Sequence, residues 1–266
     1  MKTIGFIGTG NMGGALARAA AKNPENRLLL NNRTMSKAEK LAGEIGAEAA
    51  DADAVIRAAD YLFVGVKPQM LSALAEQISA RLKARESRFV IVTMAAGTSI
   101  DSLLKLLGGE WPVIRIMPNT PASIGQGMIL YSCSQNVTDG EKADFLKAME
   151  HAGRFMELEE KLIDAGSSVS GCGPAFADLF IEALADGGVA CGLPRAKAME
   201  MAAQMLLGSA ALQLETGKHP GELKDAVCSP GGTTIQGVRV LEERGFRAAV
   251  MDAVIAAYEK NTKLGK

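Results

Sequence analysis

The sequence predicts an α/β protein, with a doubly wound parallel sheet over residues 1–160 and an all-helical domain over residues 161–266. Three observations carry this reading. A glycine-rich turn, Gly8, Gly10 and Gly13, lies between an apolar strand (Thr3 to Ile7) and an Ala-rich helix (Met12 to Ala21). Short apolar runs then alternate with amphipathic stretches as far as Leu158, joined by short loops. Beyond Asp164 no segment reads as a strand.

The bulk properties limit the function classes. At 266 residues the chain can hold one large domain or two modest ones. A formal net charge of −1 with no basic cluster excludes a nucleic-acid or membrane surface as the expected partner. Four cysteines (Cys133, Cys172, Cys191, Cys228) form no C-x-x-C pair and have no histidine at ligand spacing, so no metal site is expected. They read as reduced thiols of a cytoplasmic protein. The chain opens directly on a strand, with no signal-peptide pattern, and no apolar run reaches the length of a membrane span. Only His151 and His219 occur, which disfavours chemistry built on a histidine base.

Taken in order, the elements follow from local pattern. Arg27 to Asn31 is a second strand, and Thr34 to Ile45 a helix with apolar positions at Ala38, Leu41, Ala42 and Ile45. Tyr61 to Val66 is a buried strand stopped by Lys67-Pro68, followed by a helix from Met70 to Leu82. Phe89 to Met94 is another, ending in Ala95-Ala96-Gly97, with a short helix from Ile100 to Leu107. Val113 to Met117 ends at Pro118, Gly127 to Tyr131 is a further strand, Asp139 to Ala152 a helix, and Phe155 to Leu158 an edge strand. The second domain reads as helices from Pro174 to Val189, Pro194 to Thr216, Pro220 to Val227, Thr233 to Glu243 and Phe246 to Lys260. Their prolines stand near helix starts, where the missing N–H costs nothing. The helix from Pro194 is apolar almost all round, so it needs burial on most sides. A domain this small cannot readily surround it, which points to a subunit interface and a homodimer at least; the alternative is a central core helix wrapped by its neighbours.

The glycine turn has the strand–turn–helix order of the dinucleotide fingerprint of a Rossmann-type domain. Gly8 permits the tight turn, Gly10 lets a pyrophosphate approach, and Gly13 lets helix and strand pack closely. Thr9, Asn11 and Met12 complete the loop, whose helix N-terminus offers N–H groups to phosphates. The second strand ends in Asn31-Asn32-Arg33-Thr34, where NAD binders carry a carboxylate. Without one, nothing repels a 2′-phosphate; Arg33 can pair with it and Asn32 can hydrogen-bond it, which favours NADP(H). If Arg33 is only solvated, either cofactor is accepted. Val66, Lys67 and Pro68 stand at one further strand end and Ala95, Ala96 and Gly97 at another, and the small residues leave room for a ribose or nicotinamide. In Pro118-Asn119-Thr120-Pro121, a stiff turn, Asn119 is either a substrate contact or an Asx turn on its own backbone. Cys172 reads as a packing residue. Ser229-Pro230-Gly231-Gly232-Thr233-Thr234 opens a helix with successive N–H groups and three hydroxyls, a cradle for a carboxylate or phosphate rather than a plain cap.

Taken together these residues resemble the pyrroline-5-carboxylate reductase family. The match rests on IGFIGTGNMGGA (residues 4–15), VKP (66–68), MAAG (94–97), RIMPNTPA (115–122), SGCGPAF (170–176) and above all LKDAVCSPGGTTIQGVRVLE (223–242), and it spans essentially the whole chain. The resemblance implies NADPH-dependent reduction of 1-pyrroline-5-carboxylate, a cyclic imino acid, to L-proline, the last step of proline biosynthesis. It also implies a Rossmann domain followed by a helical C-terminal dimerisation domain, in dimers and often rings of dimers. Two departures stand out: Cys172 replaces a serine common in the family, and Ala226 an asparagine of some members.

A mechanism follows as an expectation. The substrate carboxylate rests on the N–H groups of Gly232 and Thr233 beside Gly231, with Ser229 assisting, and Thr234 hydrogen-bonds the ring nitrogen as the catalytic residue. Two other readings compete. A β-hydroxyacid dehydrogenase needs a lysine on the helix after its glycine-rich substrate segment, and Ala175 to Phe180 has none. A non-catalytic nucleotide sensor has no reason for a second anion cradle.

Overall fold

The computed structural model describes residues 1–263. Eight strands, β1 (Lys2–Ile7), β2 (Asn26–Asn31), β3 (Glu48–Ala49), β4 (Tyr61–Val64), β5 (Val90–Thr93), β6 (Val113–Met117), β7 (Gly127–Cys133) and β8 (Gly153–Glu157), form one sheet. Their order is β3-β2-β1-β4-β5-β6-β7-β8. The crossovers are α1 (Asn11–Ala20), α2 (Met35–Ile45), α3 (Ala52–Ala58), α4 (Leu71–Lys83), α5 (Ile100–Leu107) and α6 (Asp139–Ala148), with α7 (Ile163–Ser170) following β8.

Side chains alternate across each strand, so the sheet has two apolar faces. Phe6, Phe63 and Val92 point into one cluster, which α1, α2 and α6 cover with Leu16, Leu41 and Phe145. Ile7, Val64 and Ile91 point into the other, covered by Ile56, Ile78 and Leu103 from α3, α4 and α5. Every residue of β4 and β5 is buried, as a strand covered on both faces requires.

The expected all-parallel sheet needs one correction. β1 to β6 pair in parallel, but β7 runs antiparallel to β6, with Ile114 opposite Cys133. The connection from Pro118 to Gln126 is too short for a parallel crossover, which takes about a dozen residues or more, so the chain returns on itself. α6 supplies a full crossover, and β8 is again parallel to β7. Three short elements carry too little periodicity to be read from sequence: β3, α3 and α7. For α3 one signal was present, since Asp51 accepts the Ala54 N–H at 2.7 Å as its N-cap.

The chain divides into two compact units, one of residues 1–172 with the described residues from Ala257 on, the other Gly173–Ala256. The division falls beyond residue 160 because α7 stays with the sheet: Arg115 on β6 pairs with Asp164 at 2.7 Å, and Ile163 packs with Met117 and Leu130. The second unit is built from α8 (Gly173–Ala190), α9 (Arg195–Thr216), α10 (Pro220–Ala226), α11 (Thr233–Glu243) and the start of α12 (Phe246–Asn261). Its helices bury little. Ala185, Ala198 and Ala202 are its buried apolar residues, while Met201, Leu207, Leu214 and Met251 are all more than half exposed. α9 is therefore not the wrapped core helix of the alternative reading. Among the described residues no helix is long and apolar enough to cross a membrane.

One capping box ties a helix to the sheet. Thr138 and Glu141 bond reciprocally at the start of α6, and Arg88, just before β5, grips the Glu141 carboxylate through two N–H groups at 2.6 and 3.0 Å. The Arg88 hydrogen bond, joined by those from Thr138, holds this carboxyl down at about 2, against 4.5 ordinarily. A depressed folded-state pKa contributes stability above the ordinary value that is lost as pH falls toward the folded one. Glu141→Gln is therefore expected to be less stable than the parent at pH 7, with the gap closing between pH about 4.5 and about 2. Urea midpoints measured across that range check it; a gap that does not change with pH refutes it.

Candidate functional site

The turn after β1 is a contact of backbone on backbone. Gly8 has φ +101°, and a Cβ there would meet the Gly65 carbonyl oxygen at 2.6 Å. A Cβ on Gly13 would meet the Gly8 oxygen at 2.3 Å, and one on Gly65 the same oxygen at 2.5 Å. Gly10 differs: a Cβ there would have nothing within 4 Å, so its missing side chain leaves open space. α1 starts at the next residue with no side-chain cap. The N–H groups of Asn11, Met12 and Gly13 thus lack intrahelical acceptors. The Thr9 hydroxyl is buried with no partner. An open cradle, free N–H groups and an orphaned hydroxyl fit a pyrophosphate.

β1 lies between β2 and β4, with crossovers on opposite faces, so a crevice opens at the carboxyl ends of these strands. It holds about 460 Å³ and none of its lining residues is acidic. Asn32, Arg33, Thr34 and Lys37 form one corner and Val66 and Lys67 another wall. Among the described residues Arg33 and Lys37 make no ion pair; Asn32 donates to the Thr34 carbonyl at 3.2 Å, and Thr34 precedes α2 without capping it. Two cations and a helix N-terminus fit the 2′-phosphate of NADP(H). Lys37 was missed from sequence, although its place in the first turn of α2 was the available signal. Leu74 and Gln77, which also line the crevice, come from α4 and left no sequence signal.

Other expected contacts turn out differently. Met12 packs against the core, so that residue offers its backbone. Pro68 starts a 3₁₀ turn that ends at Met70. Ala95 is buried in the core and Ala96 packs on Met117, Leu130 and Ile163, while Gly97 has φ +69°; this turn too presents backbone. Asn119 is tied into the fold at both ends of its amide. It is 8% exposed, its Nδ2 donates to the Ser170 carbonyl at 3.0 Å, and its Oδ1 accepts the Met128 N–H at 2.9 Å. It clamps α7 to β7, in place of an Asx turn on its own backbone.

In the second unit, Gly231 has φ +67° and Gly232 precedes α11 with no side-chain cap. The Gly232 N–H already donates to the Ser229 carbonyl at 3.0 Å, which removes it from the expected cradle. A Cβ on Gly232 would meet the Ser229 hydroxyl at 2.4 Å. The N–H groups left for an anion are those of Thr233, Thr234 and Ile235, beside the exposed Ser229, Thr233 and Thr234 side chains. The histidines have other work: His219 accepts the Gly221 N–H at 3.1 Å as the cap of α10, and His151 lies exposed beside Glu150. All four cysteines are free, and burial, with the nearby Glu157 carboxylate, pushes the Cys133 thiol up to about 11, an unreactive state.

Known proteins resemble the chain throughout its length. A family model described as pyrroline-5-carboxylate reductase dimerisation matches residues 160–264, and one described as NADP oxidoreductase, coenzyme F420-dependent, matches residues 3–97. The pyrroline-5-carboxylate reductase of Escherichia coli is 42% identical, over 100% of this chain and 99% of its own. The reductase structure from Coxiella burnetii superposes with a TM-score of 0.90 at 29% identity, covering 100% of this chain and 99% of that one. That from Plasmodium falciparum, solved with NADP bound, has a TM-score of 0.86 at 29% identity, covering 100% and 98%.

The two helix-side glycines of the turn are expected to separate. Gly10 has φ −69°, which alanine adopts freely, so Gly10→Ala should keep its melting temperature within about 2 °C while NADP+ binding weakens about tenfold or more. Gly13→Ala forces a backbone clash and should cost about 1–3 kcal/mol of stability. Calorimetric melting and titration of both variants check this; a Gly10→Ala protein that binds normally refutes the cradle.

Proposed function

The chain belongs to the pyrroline-5-carboxylate reductase family, and from that premise we propose that it reduces 1-pyrroline-5-carboxylate to L-proline with NADPH as donor. The observation that carries the reading is the crevice after β1, where an open glycine cradle and a carboxylate-free cationic corner occur together.

The residues divide the work. The N–H groups of Asn11 to Gly13 and the Thr9 hydroxyl hold the pyrophosphate where Gly10 leaves room. Arg33 and Lys37, with Asn32 and Thr34, hold the 2′-phosphate; the guanidinium suits a bidentate grip. Val66, Lys67 and Pro68, with the backbone of Ala95 to Gly97, border the nicotinamide half. When bound, NADPH supplies the hydride that reduces the C=N carbon. The N–H groups of Thr233 to Ile235 and the Ser229 hydroxyl hold the substrate carboxylate, and Gly231 and Gly232 shape that loop. The Thr234 hydroxyl hydrogen-bonds the ring nitrogen and orients it. Threonine is too weak an acid at neutral pH to be the proton source, so the proton arrives on the imine or through water. Positioning of this kind supplies much of the rate without a histidine or carboxylate acid.

The exposed apolar helices of the second unit are covered by a second copy, giving a homodimer; the dimerisation model matched there supports this. Four free thiols support a cytoplasmic location.

Purified protein is expected to oxidise NADPH only when pyrroline-5-carboxylate is added; absence of that dependence sinks the assignment. Arg33→Ala should raise KM for NADPH about tenfold or more, the worth of a charge-assisted contact, while KM for NADH moves less than about twofold. Equal changes for both would remove the 2′-phosphate role. Thr234→Ala should lower kcat about tenfold with NADP+ affinity kept, and unchanged turnover would exclude its role.

A further inference from the structure

Arg115 is 3% exposed in the middle of β6, and no step above uses it. A buried guanidinium is costly unless paired. Its Nη1 donates to Glu160 Oε1 at 3.2 Å and its Nη2 to Asp164 Oδ1 at 2.7 Å, while its Nε has no partner. Among the described residues these two carboxylates are its side-chain partners.

One of them reaches the turn after β5. Glu160 Oε1, the atom that faces Arg115, also accepts the Ile100 N–H at 2.6 Å. Ile100 is the first residue of α5, so this bond fastens the far end of the 94–99 turn. Asp164 lies in the first turn of α7, next to Ile163, which is fully buried and packs with Met117 and Leu130 beneath Ala96. The near end is held by Thr93, cross-strand neighbour of Arg115, whose hydroxyl accepts the Ala95 N–H at 3.4 Å. Between these holds Gly97, at positive φ and with no side chain, contributes no packing of its own.

We infer that Arg115 and Glu160 are positioning residues: the Glu160 oxygen, held by Arg115 and bonded to the Ile100 N–H, fixes the Ala95–Gly97 backbone in the shape that receives the nicotinamide half of the cofactor. The inference rests on the NADPH reading of the crevice. It predicts a selective defect, because the 2′-phosphate corner and the glycine cradle take no support from this pair.

The test compares two probes, NADP+ and adenosine 2′,5′-bisphosphate, which lacks the nicotinamide half, by calorimetric titration of the full chain. Glu160→Ala removes both the acceptor for Ile100 and the partner of Arg115. It should weaken NADP+ about tenfold and lower kcat, with bisphosphate affinity within about twofold of the parent. Glu160→Gln keeps the acceptor and should recover NADP+ affinity to within about twofold. Arg115→Lys, which keeps the charge but loses the rigid fork that reaches both carboxylates, should fall between them. Losses equal for both probes mean general loosening and overturn the inference, as do losses for neither, or a glutamine no better than alanine. If the unaltered protein binds neither probe, the NADPH reading itself falls and takes the inference with it.

Discussion

The first unit depends on how closely three backbones approach at the end of β1. Gly8, Gly13 and Gly65 touch through atoms that a single Cβ would displace. This contact draws α1 onto the sheet, and it brings the loop after β4 against the loop after β1. Because the neighbours of β1 cross over on opposite faces, the space left at this point is a crevice and not a packed seam. The anion-binding character of that crevice comes largely from backbone: free N–H groups, a helix end, and a glycine with empty space where a side chain would stand.

The second unit shows a different constraint. Its helices form readily, with α9 running from Arg195 to Thr216, but its own residues bury few of their apolar side chains. Exposed Met, Leu and Val residues on this scale are the mark of a surface completed by association. The helical segment that the dimerisation model matches is the one that cannot make a core alone.

Polar side chains do much of the joining inside the first unit. Asn119 clamps α7 to β7, Arg88 grips the capping carboxylate of α6, and Arg115 gathers Glu160 and Asp164. Each joins elements far apart in the chain, and the buried Asn119 and Arg115 replace water lost on burial with hydrogen bonds of defined direction. The sequence motif around Asn119 looked like a ligand contact because a polar residue between prolines is well displayed in a turn. In the fold both ends of its amide are engaged by main chain, so it has a structural role that local pattern did not show.

The sequence by itself determined what depends on near neighbours. Glycine spacing marked the turn after β1, apolar runs marked the buried strands, and Asn32-Arg33 without a carboxylate marked the cationic corner of the crevice. The helices of the second unit were legible from their periodicity, and the family from motifs spread along the chain. Tertiary structure decided whatever depends on distant partners. It reversed β7 because the loop before it is too short to cross over. It brought Lys37 to the crevice wall and gave Arg115 its two carboxylates. The physical reason is that a side chain's chemistry is set by what its polar atoms meet. For Asn119 and Arg115 those partners lie some tens of residues away, beyond the reach of local pattern.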